Sequence, residues 1–150
     1  MHEILLALHN VLRWVVVILG IIVLVRSLWG WFGKKAWEKT DRMVGIAFTS
    51  AYDAQILLGI VLYFFSSSYG LNAFLNLPIS EVMSNETYRL FAVEHPVIMI
   101  LAVVFAHLGN ILPKKAKDDP TRHKQAAICF GLAILLTLAA MPWDRPLLPR

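Results

Sequence analysis

Two histidines stand inside otherwise apolar runs, His9 in "LALHNVLRW" and His95 in "FAVEHPVIMI". Around them, also within apolar surroundings, are Asn10, Arg13, Asp53, Gln55, Arg89, Glu94 and His107. An imidazole can ligate a metal, carry a proton or hydrogen-bond to a neighbouring helix. A carboxylate or guanidinium at such a place pairs, binds a charged group or moves protons, because burying it unpaired is costly. Which of these chemistries applies depends on the elements that set the depth and direction of each side chain.

Composition defines those elements. Of the 150 residues, 58% are hydrophobic and 16% charged, with a mean hydropathy of +0.63, which is the balance of a membrane protein. A spanning helix needs roughly 20 mostly apolar residues, and four runs meet that length, at about 4–26, 43–66, 88–111 and 124–142. The first run has no Lys or Arg before it and no small-residue cleavage site after it, so it reads as a retained helix. Cys129 is the only cysteine, which excludes an internal disulfide framework and leaves it as a small packing residue.

Loop charge sets the expected orientation. Arg26, Lys34, Lys35, Lys39 and Arg42 follow the first run, and Lys114, Lys115, Lys117, Arg122 and Lys124 follow the third. The connection between the second and third runs has Arg89 as its only basic residue. The basic loops are expected in the cytoplasm and both termini on the outer side, so the net charge of +4 reflects topology and points to no nucleic-acid partner. The expected fold is all-α, a single transmembrane up-and-down four-helix bundle in which the first and third helices lie on a diagonal. The aromatics Trp29, Trp31, Trp37 and Trp143 read as interfacial belt residues.

On that scaffold His9 and His95 enter from the same side, roughly five and eight residues from their helix starts, so their depths agree within about one turn. Two neutral imidazoles facing each other across a bundle are the axial ligands that a bis-histidine b-type haem needs. The competing reading is that each histidine is an interhelical hydrogen-bond partner. Gly59, four residues after Gln55, offers space beside such a site, as do Ala102 and Gly131. Pro96 would loosen the helix next to His95 and re-aim its ring. Covalent haem attachment is excluded, since there is no CxxCH.

The remaining polar residues keep two readings each. Arg13, one turn below His9, either neutralises a haem propionate or pairs with Asp53. Gln55 and Asp53 are about 200° apart around their helix, so if Gln55 faces the haem or a quinone, Asp53 faces another helix or a partner. Glu94 either orients a ligand and moves protons, or pairs with Arg89. Arg89 is a propionate partner or an interfacial anchor. His107, about 120° around the helix from His95, has at its level only His123 as a possible partner, on a neighbouring rather than a diagonal helix, so a second haem is not expected and His107 reads as a hydrogen-bonded interface residue.

The strings "LHNVLRW", "DAQILLGIVLY", "RLFAVEHP" and "MPWDRP", in that order and spacing over nearly the whole chain, resemble short four-span bacterial integral membrane proteins of the cytochrome b type. The resemblance implies one b-type haem in a four-helix bundle and a role in electron transfer in the bacterial inner membrane. Cytochromes of the b561 type are similar in architecture but carry enough helix histidines for two haems. The expected function is thus a membrane b-type cytochrome with His9 and His95 as ligands to one haem and Arg13, Gln55, Gly59, Arg89 and Glu94 around it. It would pass electrons between a quinone pool and an outer-side redox partner or other membrane subunits, as a component of an electron-transfer system rather than a stand-alone enzyme. The alternative is a haem-free structural subunit of a membrane complex. A proton-coupled transporter using Asp53, Glu94 and Arg13 is disfavoured by the lack of inverted repeats or broken helices.

Overall fold

The structure is a computed structural model that describes residues 2–65 and 68–143. The end of "MPWDRP", from Asp144 on, lies outside the described residues. Within them every regular element is helical: α1 (His2–Phe32), α2 (Lys39–Phe65), the short α3 (Leu71–Asn76), α4 (Ile79–Ser84) and α5 (Glu86–Arg89), a π-helical turn (Leu90–Glu94), α6 (His95–Lys115) and α7 (Asp119–Ala139).

The four long helices pack in a closed order, α1 against α2 and α7, and α6 against α2 and α7. This leaves α1 and α6 on a diagonal, as loop length implied. The face each helix buries follows its pattern of small and polar residues. In α1 the buried stripe is Arg13, Val16, Val17, Gly20, Val23, Ser27 and Gly30, while Leu8, Ile18, Ile21, Ile22 and Val25 are exposed. Large apolar groups outside and small groups between helices is the pattern of packing in lipid, where Leu and Ile gain nothing by leaving the solvent. Gly109 shows how close the packing is: a Cβ there would stand 2.6 Å from the Phe130 ring. Phe48, Tyr52 and Phe130 fill the centre, and Cys129, on α7, is free and buried, as a packing residue would be.

Among the described residues three segments are long and apolar enough to cross a bilayer: His2–Phe32, Lys39–Phe65 and Glu86–Lys115. The fourth run differs from expectation. α7 begins at Asp119 because Asp118 caps it, accepting from the Thr121 amide at 2.9 Å, with Pro120 in the first turn. Its first turns therefore carry Asp119, Arg122, His123, Lys124 and Gln125, and its apolar part, residues 126–139, rises only about 21 Å at 1.5 Å per residue, less than the roughly 30 Å of a hydrocarbon core.

Other boundaries also move. α1 runs on through Phe32, past the expected end near residue 26, because nothing in "SLWGWF" outweighs an established helix until Gly33 and Lys34. There Lys34 adopts φ 48° and the Lys35 amide returns to the Gly30 carbonyl at 3.0 Å, a left-handed helix stop. The long second connection, expected as a loop, folds into α3, α4 and α5 around a small core of Ala73, Val82 and Ala92.

Candidate functional site

His9 extends from the second turn of α1 and His95 from the first residue of α6. The fold brings them together across the diagonal, with ring centroids 6.5 Å apart and planes at 65°. Both rings are partly buried.

Pro96 sets the direction of His95. It has no amide proton, and its ring crowds the carbonyl four residues back, so an α-helical bond to Ala92 cannot form. The backbone widens instead: the His95 amide bonds to the Leu90 carbonyl, five residues earlier, and residues 90–94 form a π turn. The released Ala92 carbonyl accepts from the Tyr63 hydroxyl of α2 at 3.3 Å. The His95 Nδ1 lies 2.9 Å from the Ala140 carbonyl. A carbonyl only accepts, so Nδ1 carries the proton and Nε2 keeps its lone pair. This is the tautomer and the backbone partner that a ligating histidine uses.

On the α1 side, the Gln55 amide donates to the His9 carbonyl at 3.0 Å, which ties α2 to the turn bearing His9. Gly59, one turn further along α2, lies under the ring, where a Cβ would meet His9 Cε1 at 3.5 Å. His9 Nδ1 and Gln55 Oε1 are buried and have no hydrogen-bond partner among the described residues. Beyond His9 toward the α1 start, His2, Leu5, Val61, Leu62 and Phe65 line a mostly apolar cavity of about 320 Å³. Arg13, one turn deeper, is 7% exposed, its guanidinium 5.8 Å from the Trp14 ring centre.

Two imidazoles sharing one metal at nitrogen–metal distances of about 2.0–2.1 Å have ring centroids roughly 6–6.5 Å apart, so the observed separation of 6.5 Å fits an axial pair. Among the described residues no three of His, Cys, Asp and Glu converge. Two imidazoles alone do not complete a protein-only metal centre, and a donor set of this size suits a metal that brings its own macrocycle. The backbone-held tautomer of His95 and the orphaned polar atoms beside His9 agree with that fit.

The other candidates are distributed differently. Arg89 Nε donates to Glu94 Oε1 at 2.7 Å, and Arg89 Nη1 to the Met83 carbonyl at 2.9 Å. Both residues, expected around the cofactor, are thus engaged in an ion pair that anchors the start of the π turn. Asp53 bonds to His107 Nε2 at 2.9 Å, and both side chains are about half exposed (48% and 47%). The hydrogen bond of Asp53 is accordingly with α6, on the side of α2 turned away from Gln55, as their angular separation required. His107 does not meet His123. Because α7 starts five residues earlier than expected, His123 is carried inward against Gly30 and packs against Trp37, ring centroids 4.8 Å apart and planes tilted by 57°.

Sequence reasoning missed Tyr63 and Ala140. Pro96 could have pointed to the first, since a proline in a helix always frees a carbonyl four residues back. Nothing in the sequence indicates the second, which depends on where α7 ends. Comparison with protein-family models, with curated proteins and with solved structures finds no match.

Proposed function

We propose that this protein is a membrane b-type cytochrome in which His9 and His95 hold one haem between the outer ends of α1 and α6. It would exchange electrons between a quinone pool and a redox partner or membrane subunit on the outer side. In this proposal α7 completes a four-span bundle of the bacterial inner membrane and both termini lie outside. The reading is carried by one observation, the 6.5 Å approach of two imidazoles from diagonal helices, one of them locked with its Nε2 lone pair available.

The haem would supply reversible one-electron chemistry at iron; the chain supplies burial, orientation and charge. Ala140 holds the His95 tautomer, and Gln55 and Gly59 fix the height and clearance of His9. Arg13 places a positive charge inside the bundle one turn from His9, which favours a bound anionic group and the more electron-rich state of the site. The apolar cavity beside Leu5 and Leu62 is where a porphyrin edge or a quinone ring would be sheltered.

A second reading, a haem-free structural subunit, is favoured by the Asp53–His107 pair. A half-exposed Asp–His hydrogen-bonded pair along candidate spans is costly against lipid and is relieved by contact with another protein. The experiment that separates the two is a reduced-minus-oxidised spectrum of protein purified in mild detergent after expression with ample haem, together with a pyridine haemochrome count. A sharp b-type α-band at about one haem per chain is expected. A featureless visible spectrum would leave the structural subunit as the better reading.

A further inference from the structure

The opposite end of the molecule carries a second concave feature. Between the start of α2 and the end of α6 lies a cavity of about 360 Å³, with Trp37 and Pro113 among its walls and Lys39, Arg42, Lys114 and Arg122 at its rim. Four cations face one acid of the lining, Glu38. Arg122 is matched by Asp119 at 3.1 Å, but Lys39, Arg42 and Lys114 form no ion pair among the described residues. At the same end Arg26 is matched by Asp41, its Nη2 2.8 Å from Oδ1. The cleft therefore concentrates uncompensated positive charge.

Its depth identifies the ligand class. The candidate span of α2 begins at Lys39 and that of α6 ends at Lys115, so the rim lies where lipid headgroups lie. One turn further into the spans, Ile46 follows Arg42 on its face of α2 and Ile111 precedes Lys114 on α6, and both are exposed. A cationic cup that continues into an exposed apolar track matches an amphiphile with an anionic head. A free anion would use the cup and leave the track unused.

We infer that the cleft rimmed by Lys39, Arg42 and Lys114 binds the phosphate headgroup of an anionic phospholipid whose chains run along Ile46 and Ile111. The site is far along the bundle from His9 and His95 and does not depend on the haem reading.

Native mass spectrometry of the full-length protein, delipidated and offered phosphatidylglycerol, phosphatidylcholine or inorganic phosphate, tests the inference. Phosphatidylglycerol should be retained roughly thirtyfold better than phosphatidylcholine, as expected at about 1 kcal/mol per cation when two cations contact the headgroup, and millimolar phosphate should not displace it. The double variant R42Q/K114Q should lose the preference, and K34Q/K35Q, which removes the same charge from the same end outside the cleft, should keep it. Equal retention of the two lipids, or equal loss in both variants, would overturn the site. Displacement by phosphate at matched concentration would overturn the lipid assignment in favour of a soluble anion. If R42Q/K114Q does not fold, the lipid and phosphate competition on the unmodified protein and the single K114Q variant decide the same question.

Discussion

A histidine ligates only through a nitrogen that does not carry its proton, so the hydrogen bond made by the other nitrogen decides whether the ring is available. In His95 that bond goes to the Ala140 carbonyl. In His107 it is Nε2 itself that is spent, on Asp53. The three intramembrane histidines are thus unequal, and the difference can be tested. His9→Ala and His95→Ala should each reduce haem content at least roughly tenfold, as loss of an axial ligand does, whereas His107→Ala should leave the haem-to-protein ratio unchanged. Equal tolerance of all three substitutions in the haemochrome count would sink the ligand pair.

At the scale of the element, the start of α6 is built around a proline defect that α2 repairs. Tyr63 satisfies the Ala92 carbonyl that Pro96 releases. Tyr63→Phe should cost about 1 kcal/mol, the usual net worth of such a bond. In a Pro96→Ala background the carbonyl regains a helical donor, and the same change should cost clearly less. A double-mutant cycle by denaturant titration in micelles reads the difference, and additive losses would show that the two residues act independently.

The start of α7 offers a pH test at the same scale. The Asp118 carboxylate, lying outside the spanning segments, accepts from the Thr121 amide and hydroxyl, which holds its pKa below the ordinary carboxylate value. A depressed folded-state pKa contributes stability above the unfolded value and loses it as pH falls through the folded one. Protection of the Thr121 amide should therefore drop on acidification from about pH 5 to pH 2, and Asp118→Ala should remove that dependence. Hydrogen exchange at Thr121 measures both; an unchanged amide would show that the cap contributes nothing.

For the whole molecule, the distribution of charge and apolar surface separates two ends and one belt. Lys34 and Lys35 are at one end, and α3 to α5 are at the other. Single cysteines at Lys35 and Ser80, in a Cys129→Ala background, should be labelled by a membrane-impermeant maleimide from opposite sides of sealed vesicles, with Ser80→Cys reactive from outside. Labelling of both from one side would overturn the topology. The packing order also explains why the histidines meet: α1 and α6 each contact α2 and α7, so side chains pointing inward from the diagonal converge.

Much of this was legible in the amino-acid order. Run length and loop length determined the helical, membrane-embedded character and the diagonal relation of α1 to α6, because hydrocarbon thickness and backbone hydrogen bonding allow few other solutions. The depth match of His9 and His95 and the opposed directions of Asp53 and Gln55 follow from helix rise and rotation alone. Tertiary structure decided what depends on where elements end and which neighbour is nearest: the Ala140 carbonyl on His95, Tyr63 on Ala92, Glu94 with Arg89, and Asp53 with His107. These contacts join residues far apart in the chain or depend on the local path of a π turn. Periodicity carries no record of either, since it specifies the face on which a side chain emerges and not the atom that waits there.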